Sequence, residues 1–336
     1  MTATANNAVI QAVARSGAMQ NGVVPNAKVA IIILNWDSYG VTRDCLLSMS
    51  KLDYANFEVV LVDNGSADGS PERLAADFPH LRIIRNPVNL GFTGGNNVGL
   101  RDALTRSPDY LLLLNNDTIV ASNFLTELVR VAESDHQIGL LNPKIYYFEP
   151  AKKIWCAGGI DKLWTVFPQP LGRRKLDDGS YDQAREISFT NGCALLVRAE
   201  AIRTIGLLDE VFFLSFEDRD WSARALRAGF KAVYVPSAVI WHKESYCTKR
   251  HLGLAGRDYF AMRNAVLFAR KHLRGGLWPL FVMSVSKYLI YKTGLYLLLA
   301  DWKRVRALYL GIWSGCFEKQ GLPASQTRTR CDQFRL

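Results

Sequence analysis

The chain lacks the features that identify several common protein classes. Its cysteines include no CxxC pair, which argues against a zinc knuckle or a disulfide framework and favours a reducing compartment; they are Cys45, Cys156, Cys193, Cys247, Cys316 and Cys331. The N-terminal residues lack the basic start and apolar core of a secretory signal peptide, so we expect residues 1–27 to form a loose extension. Glycine and proline are near their average frequencies, which argues against a fibrous or wholly disordered chain.

A long, uninterrupted apolar run is also missing. The most apolar stretch, residues 277–300, contains Lys287 and Lys292 and is broken by Pro279 and Gly294. A membrane-spanning helix needs about 20 apolar residues with few charges, so a spanning helix is not expected here. A segment that lies in the membrane interface, with its lysines reaching towards water, fits this composition better. The alternative is a soluble helical pair that packs on the main domain or in a homodimer.

Positive charge is concentrated near the C-terminal end. From residue 241 onward the chain carries 17 Lys/Arg and 5 Asp/Glu, whereas the remainder carries 24 and 26, within a net charge of +10. A basic region on a nearly neutral body needs an anionic partner, either nucleic acid or a membrane surface. No RNA- or DNA-binding motif accompanies the charge, so we expect no nucleic acid partner. We therefore expect a basic, apolar, helical C-terminal region, residues 246–336, that associates with a membrane.

Apolar runs with the character of strands alternate with stretches that have helical spacing. The predicted strands cover residues 28–34, 57–62, 81–85 and 110–114, and the predicted helices cover residues 41–50, 71–78 and 96–105. This alternation is typical of βαβ units and predicts an α/β fold with a mostly parallel sheet covered by helices on both faces. Ligands of such sheets bind beyond the carboxyl ends of the strands, so polar residues directly after each strand are the first candidates for a site.

Each predicted strand ends in or leads into polar residues that can contact a ligand. Taken alone, each set also fits a turn, a helix cap or a glycine-rich helix entry. Together they place carboxylates and amides along one edge of the sheet, which favours a ligand site over a purely structural account. The four sets are Asn35–Asp37, Asp63–Ser66, Asn89–Gly99 and Asn115–Asp117.

The glycine-rich stretch GFTGGN, which begins at Gly91, fits neither of the common nucleotide-binding motifs. It lacks the G-x-G-x-x-G spacing and follows the third strand instead of the first, which argues against a Rossmann dinucleotide site. No GKS or GKT follows it, which excludes a P-loop. A nucleotide that binds at the strand ends would therefore be held in a different way than in a Rossmann fold or a P-loop.

A set of motifs in a fixed order resembles the inverting family 2 glycosyltransferases, which have the nucleotide-sugar-binding GT-A fold. The motifs are ILNWDSYG, VVLVDNGSADGS, NLGFTGGNNVGL, LLLLNNDTIV, NGCALLVRAE, GLLDEVFFLSFEDRDWSARALRAG and VIWH. They run from Lys28 to His242, so the resemblance predicts a glycosyltransferase domain over residues 28–245. Within the family, the chain is most similar to the rhamnosyltransferase-like branch, which builds bacterial cell-wall or surface polysaccharides on lipid carriers.

The resemblance implies a divalent cation at the end of the fourth strand. Asn115-Asn116-Asp117 matches the family's D-x-D-like motif, so Asp117 is the expected ligand of Mg or Mn, and Asn116 is expected among the nucleotide contacts. The ion would neutralise the diphosphate as the glycosidic bond breaks. His242 matches a position from which the family often supplies a further ligand, although a lone histidine after an apolar strand is more often structural. Because Asn115 replaces the first acidic residue, the resemblance also implies weaker metal binding.

The resemblance also assigns residues to the donor nucleotide. Asp63 matches the aspartate that accepts a hydrogen bond from the pyrimidine base, and Leu34, Asn35 and Trp36 would line that base. A further group would let the backbone approach the ribose and the phosphates. This group consists of Gly94, Gly95 and Asn96.

The catalytic base is expected in the segment SFEDRD. Inversion by direct displacement needs a carboxylate that deprotonates the acceptor hydroxyl. Asp218 matches the family's base, and Glu217 is the second candidate, for holding donor or acceptor hydroxyl groups. The structural alternative is a capping box between Ser215 and Asp218 at a helix start. Asp220 and Arg224, spaced i,i+4, are expected to form an ion pair that supports this helix.

Taken together, the motifs predict an inverting glycosyltransferase. It would move a sugar, with rhamnose as a candidate, from a dTDP- or UDP-sugar to a saccharide or polyprenyl-linked acceptor at the cytoplasmic face of the cell membrane. One alternative is a sugar nucleotidyltransferase, whose GxGTRL-like loop after the first strand is absent here. The other is a non-catalytic homologue that binds a saccharide or nucleotide. Asp117, Asp218 and His242 argue against this second alternative, while Asn115 leaves it open.

Overall fold

A computed structural model describes the backbone of residues 25–243 and 246–317, and the side chains of these residues except 246–252. The predicted N-terminal extension, residues 1–27, lies outside the described residues except for its last three positions. The end of the basic C-terminal region, residues 318–336, also lies outside them.

The first half of the chain forms the βαβ units that the alternation predicts. Its elements are β1 (Val29–Asn35), α1 (Tyr39–Met49), β2 (Phe57–Asp63), α2 (Ser70–Asp77), β3 (Arg82–Arg85), α3 (Gly91–Leu104) and β4 (Tyr110–Asn115). Helix α3 begins five residues before the predicted start, so the prediction that it begins at Asn96 is wrong. The glycines in its first turns let it pack closely on the sheet, because a Cβ atom at Gly95 would lie 2.5 Å from the Leu34 side chain.

The second half adds shorter strands and longer connections. Its elements are β5 (Thr118–Val120), α4 (Phe124–Glu133), β6 (Ile138–Tyr147), β7 (Ile154–Cys156), β8 (Gly159–Ile160), β9 (Gln169–Pro170), β10 (Arg185–Ile187), β11 (Ala194–Arg198), α5 (Ala199–Ile205), α6 (Glu217–Arg227) and β12 (Lys231–His242). The segment between β6 and β11 is mostly irregular and covers one end of the sheet.

The strands form one mixed sheet in the order β10-β12-β6-β11-β4-β1-β2-β3. Within the described part of the chain, β5 pairs with β12 and β7 pairs with β6, while β8 and β9 form a separate two-stranded sheet. The central pairs β4-β1, β1-β2 and β2-β3 are parallel, as is β12-β6, whereas β11 runs antiparallel to β4 and β6. The sheet is therefore mixed and mostly parallel along this order, as the predicted fold class requires.

Two apolar layers bury the faces of this sheet. Ile31 and Ile33 of β1 point into the layer covered by α1 and α4, whereas Ala30 and Ile32 point into the layer covered by α3, α5 and α6. Successive side chains of a strand point to opposite faces, so a strand covered on both faces needs a continuous apolar run. This requirement explains why β1 reads as AIII without alternation.

The C-terminal region is helical and packs against the loop that precedes α6. It contains α7 (Tyr246–His272), a single 3-10 turn (Gly275–Leu277), α8 (Trp278–Leu298) and α9 (Trp302–Phe317). The Asn264 amide of α7 donates 2.8 Å hydrogen bonds to the carbonyl oxygens of Leu214 and Ser215. Phe212 and Phe216 share an apolar cluster with Phe268 of α7. The C-terminal helices therefore support the start of α6, while the predicted domain boundary at residue 245 stays a prediction.

Large apolar side chains remain exposed on α8 and α9. None of the helices in residues 25–243 and 246–317 is both long and apolar enough to cross a membrane. The exposed side chains are Leu280, Val282, Met283, Ile290, Tyr291, Leu297, Leu298, Trp302, Tyr309, Trp313 and Phe317. Many exposed apolar side chains on two neighbouring helices are typical of a surface that binds a partner.

Candidate active site

The carboxyl ends of the central strands bring three of the predicted polar sets together. Asn35 of β1 pairs in register with Asp63 of β2, and Leu34 pairs with Asn115 of β4. The Asn115 N–H donates a 2.8 Å hydrogen bond to the carbonyl oxygen of Cys193, just before β11. The end of β4 and the loop before β11 therefore meet at the same edge of the sheet as Asp63.

Asp63 is buried and held by hydrogen bonds at this edge. Its carboxylate accepts hydrogen bonds from the Asn35 amide at 3.0 Å and from the Ser66 hydroxyl at 2.5 Å. The Asn35 amide also donates to the Ser70 hydroxyl at 2.8 Å and accepts from Thr42. The side chain of Asn35 is therefore used within the protein, where it orients Asp63. Contact of Asp63 with a base stays a prediction.

The other predicted donor residues lie close to this point. Leu34 and Trp36 are half-buried at the end of β1, and Gly94, Gly95 and Asn96 lie near the start of α3. The Asn96 amide donates a 2.8 Å hydrogen bond to the Phe92 carbonyl within α3. Leu34 occupies the space that a side chain at position 95 would need, so this glycine serves helix–strand packing. Their contact with a ribose or a phosphate stays a prediction.

Asp117 and His242 face each other although 125 positions separate them in the sequence. β5 pairs with the end of β12 so that Thr118 lies opposite His242, and the Lys243 N–H donates a 2.8 Å hydrogen bond to the Asp117 carbonyl. This pairing places His242 Nε2 at 3.1 Å from Asp117 Oδ1, with both side chains buried. Burial lowers the pKa of His242, but the neighbouring Cys193 and Asp117 outweigh burial and raise this pKa well above its usual range.

This pair provides an oxygen and a nitrogen donor that suit a divalent cation. Neither ring nitrogen of His242 makes a hydrogen bond of good geometry with the described residues. The Asn116 amide donates to the Thr42 hydroxyl at 2.8 Å, which fixes the loop that carries Asp117. Within the described part of the chain, no group of three or more His, Cys, Asp or Glu side chains is arranged to hold a metal ion. Asp117 and His242 supply two donors, so Mg or Mn bound by them would need phosphate oxygens to complete its coordination.

Asp218 lies at the start of α6 and is tied to the loop before β11. Its Oδ2 atom accepts a 3.0 Å hydrogen bond from the Gly192 N–H, and its Oδ1 atom accepts one of 2.7 Å from the Arg219 N–H. The capping box between Ser215 and Asp218 is a wrong prediction. Both Ser215 and Phe216 have positive φ values, 69° and 76°, and no side chain caps the helix that begins at Glu217. This turn directs the Asp218 carboxylate towards Gly192 instead.

Burial shifts the pKa values of both candidate carboxyl groups upward. Burial raises the pKa of Asp218 to about 6, although the hydrogen bonds from the Gly192 and Arg219 backbones oppose this shift. Burial and the charge of Asp218 raise the pKa of Glu217 well above its usual range. Buried Oε2 of Glu217 has no hydrogen-bond partner among the described residues. A buried carboxyl group with a raised pKa can accept a proton when it is ionised and donate a hydrogen bond when it is neutral.

Comparison with known proteins decides the family. Residues 30–206 match the family described as glycosyl transferase family 2. The chain belongs to this family. It is 27% identical over 226 residues to the N-acetylglucosaminyl-diphospho-decaprenol L-rhamnosyltransferase of Mycobacterium tuberculosis, covering 61% of this chain and 72% of that protein. It is 20% identical over 258 residues to a dTDP-rhamnosyl transferase of Shigella flexneri, covering 74% of this chain and 81% of that protein.

The fold of this glycosyltransferase also matches solved structures. A mannosyltransferase from Pyrobaculum calidifontis, in complex with GDP-Man and Mn²⁺, superposes with a TM-score of 0.52 at 16% identity. The match covers 97% of this chain and 88% of that one. The predicted family, its rhamnosyltransferase-like relatives and the predicted GT-A-type fold are therefore confirmed.

Ion pairs fix helix α6 of the glycosyltransferase in place. The predicted pair between Asp220 and Arg224 is confirmed at 2.7 Å. Asp220 also contacts Lys271 at 2.8 Å and His272 at 2.7 Å, both on α7. Burial raises the pKa of Asp220, but these three partners outweigh burial and bring it to about 2. The charged start of α6 is thereby joined to the C-terminal helices.

A cavity of about 690 Å³ lies beside Asp218 and Glu217 in the glycosyltransferase. Aromatic side chains from the irregular segment after β6 form much of its wall, including Trp155, Phe167 and Phe189. Trp155 also contacts His242 edge to face, with ring centroids 4.8 Å apart. The sequence analysis assigned these residues no role, because they follow no periodic pattern and approach Asp218 only through the tertiary fold. The cavity has the size and mixed lining of a site for a small ligand.

Proposed function

We propose that this chain is an inverting, metal-dependent glycosyltransferase that moves a sugar from a nucleoside diphosphate to a saccharide or polyprenyl-linked acceptor. Rhamnose is the first candidate for the sugar and dTDP or UDP for the nucleotide. The names of the Mycobacterium tuberculosis and Shigella flexneri relatives support this choice. The observation that carries the proposal is the placement of Asp218. It lies beside a cavity and is joined through the Gly192–Cys193 loop to the end of β4, which leads into Asp117.

The donor nucleotide binds at the carboxyl edge of β1, β2 and β4. Asp63 accepts a hydrogen bond from the base, and its position is fixed by Asn35 and Ser66. Leu34 and Trp36 line the base. Asn116 and the start of α3, at Gly94, Gly95 and Asn96, lie towards the sugar and phosphates, where the backbone N–H groups of a helix start favour anions.

Asp117 and His242 would hold the divalent cation, Mg or Mn. The ion supplies Lewis acidity that stabilises the charge on the departing nucleoside diphosphate. The buried carboxylate and imidazole that face each other at 3.1 Å support this assignment. The Mn²⁺ in the Pyrobaculum calidifontis mannosyltransferase structure supports the use of a divalent cation by this fold.

Asp218 acts as the general base. It accepts the proton of an acceptor hydroxyl while that oxygen forms a bond to the anomeric carbon. The bond from this carbon to the nucleoside diphosphate breaks, and its electron pair leaves with the diphosphate. Attack from the face opposite the leaving group inverts the anomeric configuration. Glu217, whose pKa burial and the charge of Asp218 raise well above its usual range, holds a sugar hydroxyl by a hydrogen bond.

The exposed apolar side chains of α8 and α9 support docking on the anionic inner face of the cell membrane. Ile290 is 75% exposed, Trp302 is 67% exposed and Trp313 is 64% exposed. Lys287 and Lys303 lie on the same two helices and can contact anionic headgroups. Flotation with vesicles containing phosphatidylglycerol tests this docking. Absence of binding together with a concentration-dependent dimer would instead assign the surface to a second copy of the chain.

A donor panel tests the proposed reaction. The protein is incubated with dTDP-, UDP- and GDP-sugars, with and without Mn²⁺, and release of the nucleoside diphosphate is measured with the anomeric configuration of the product by NMR. We expect release that needs a divalent cation and a product of inverted configuration. Formation of a sugar nucleotide from a sugar 1-phosphate and a nucleoside triphosphate would identify a nucleotidyltransferase. Binding of a nucleotide without turnover would identify a non-catalytic homologue.

A further inference from the structure

The cavity beside Asp218 extends to the C-terminal helices, where basic side chains line it. Arg257 of α7, Lys292 of α8 and Arg304 of α9 all contribute to its wall. Arg304 is neutralised by Asp258, with Nε at 2.6 Å from Oδ2. Arg257 and Lys292, by contrast, form no ion pair with the described residues. Two half-buried cations that form no ion pair within the cavity wall are available to bind an anionic ligand.

A row of aromatic side chains joins Lys292 to the segment that carries the candidate base. Lys292 Nζ lies 5.7 Å from the ring centroid of Tyr288 on the same helix. Tyr288 contacts Phe167 at a centroid distance of 5.3 Å, and Phe167 contacts Phe216 at 5.9 Å. Phe216 directly precedes Glu217 and Asp218. The aromatic rings therefore line the cavity from Lys292 to Glu217 and Asp218. The apolar faces of sugars stack on such rings.

The basic end of the cavity also adjoins an apolar surface. Leu254 of α7, three residues before Arg257, lines the same cavity and is 53% exposed. Leu299, directly after α8 and seven residues after Lys292, lies on the same side as Lys292 and is 64% exposed. An anionic group held by Arg257 and Lys292 would therefore have apolar side chains beside it, which a free phosphate does not need but a lipid chain does.

We propose that Arg257 and Lys292 bind the diphosphate of a lipid-linked acceptor, whose lipid chain leaves the cavity past Leu254 and whose first sugar lies beside Asp218. This inference rests on the proposed glycosyltransferase function and assigns the acceptor class to specific residues. Arginine and lysine bind phosphate oxygens through charge-assisted hydrogen bonds. The donor diphosphate is assigned to the opposite part of the site, at Asp117, so the two diphosphates do not compete for the same cations.

A binding measurement tests this assignment without depending on turnover. Farnesyl diphosphate is titrated into the full chain by calorimetry, with the donor site saturated by UDP and Mn²⁺. The variants Arg257→Gln and Lys292→Gln are expected to bind farnesyl diphosphate about tenfold or more weakly, because each loses a charge-assisted hydrogen bond. Lys292→Arg keeps the charge and is expected to retain most of the affinity.

Matched controls separate this site from general surface charge. Arg274→Gln, directly before the 3-10 turn, and Arg306→Gln on α9 remove the same charge from exposed positions outside the cavity wall, so they are expected to bind farnesyl diphosphate like the wild type. Farnesol and inorganic pyrophosphate should both bind more weakly than farnesyl diphosphate. Equal affinity for pyrophosphate would overturn the lipid assignment, and equal affinity in all variants would overturn the assignment to Arg257 and Lys292.

The same variants distinguish failure of this inference from failure of the proposed function. Donor hydrolysis by Arg257→Gln and Lys292→Gln should equal that of the wild type, because the donor site lies at the sheet edge. Weaker farnesyl diphosphate binding with unchanged donor hydrolysis supports the inference. Unchanged lipid binding overturns it even when the wild type hydrolyses donors. A wild type that hydrolyses no donor contradicts the proposed function, whatever the lipid titration shows.

Discussion

Asp218 Oδ2 accepts a 3.0 Å hydrogen bond from the backbone N–H of Gly192, which joins the start of α6 to the loop before β11. That loop is itself joined to the end of β4 through the hydrogen bond from the Asn115 N–H to the Cys193 carbonyl. The candidate base and the candidate metal-binding loop are thereby fixed to one another through the backbone. Such fixed placement is what a displacement reaction requires of its base.

The pH dependence of transfer should report the ionisation of Asp218. Only the ionised carboxylate accepts a proton, and burial raises its pKa to about 6. We therefore expect kcat/KM to rise with pH through about 6 and to level off above it, with roughly a tenfold loss for each unit below. Glu217→Gln should leave this limb in place, because Asp218 is the assigned proton acceptor. A flat profile from about pH 5 to 8 would contradict the assignment.

Asp220→Asn should destabilise the fold at neutral pH by about 2 kcal/mol, because it removes a carboxylate whose pKa is lowered to about 2. A carboxyl group whose pKa is lower in the folded than in the unfolded protein stabilises the fold at pH values above its unfolded-state pKa. This stabilisation is lost as pH falls from about 4 to 2. Urea unfolding at several pH values measures the effect. Asp209→Asn is the matched control, since Asp209 contacts the same Lys271 at 2.6 Å from a more exposed position. If both variants lost the same free energy of unfolding, the buried contacts of Asp220 with Arg224, Lys271 and His272 would not be the source of the stabilisation.

Two glycine substitutions should have opposite effects on stability. Gly91 has a φ of +77°, and a Cβ atom there would lie 2.5 Å from the Phe213 carbonyl oxygen, so Gly91→Ala should cost more than about 2 kcal/mol. Gly40 lies in α1 with no atom within 4 Å of a Cβ position, so Gly40→Ala should stabilise by about 0.5 kcal/mol or more. Thermal unfolding of the two variants measures both. A mild effect at Gly91 would contradict the close approach of α3 to the loop before α6.

Metal binding should depend on both members of the Asp117–His242 pair. Electron paramagnetic resonance of Mn²⁺ in the presence of UDP measures binding without turnover. We expect Asp117→Asn and His242→Ala each to weaken nucleotide-dependent Mn²⁺ binding by about tenfold or more, because each removes a ligand. Asp44→Asn is the control, since Asp44 contacts neighbouring Lys243 at 2.7 Å but has no place in the pair. Unchanged Mn²⁺ affinity in both pair variants would rule the site out.

The sequence predicts the central strands well because their signal is local. β1, β2, β3 and β4 each lie within one residue of the predicted bounds, since a continuous apolar run is required of a strand covered on both faces. The start of α3 is missed because glycines favour loops in isolation, whereas here they permit close packing against Leu34. The packing of Gly95 against Leu34 thus outweighs the preference of glycine for loops.

The candidate site is predictable only where its residues belong to ordered motifs. Asp117, Asp218 and His242 are found through the family resemblance, and the structure places Asp117 beside His242. The Gly192 partner of Asp218 and the position of Trp155 against His242 depend on contacts between distant segments. No spacing in the sequence indicates these contacts, because the segment that carries Trp155 has no periodic pattern.

Transfer by Asp218→Asn tests the central claim most directly. Asparagine keeps the shape of the side chain and removes its ability to accept a proton. With the donor that the hydrolysis panel identifies, we expect the transfer rate to fall by about a hundred- to ten-thousandfold, while the dissociation constant of the nucleoside diphosphate and the melting temperature stay near their wild-type values. A variant that folds, binds nucleotide and transfers sugar within about twofold of the wild-type rate would contradict the claim that Asp218 is the base.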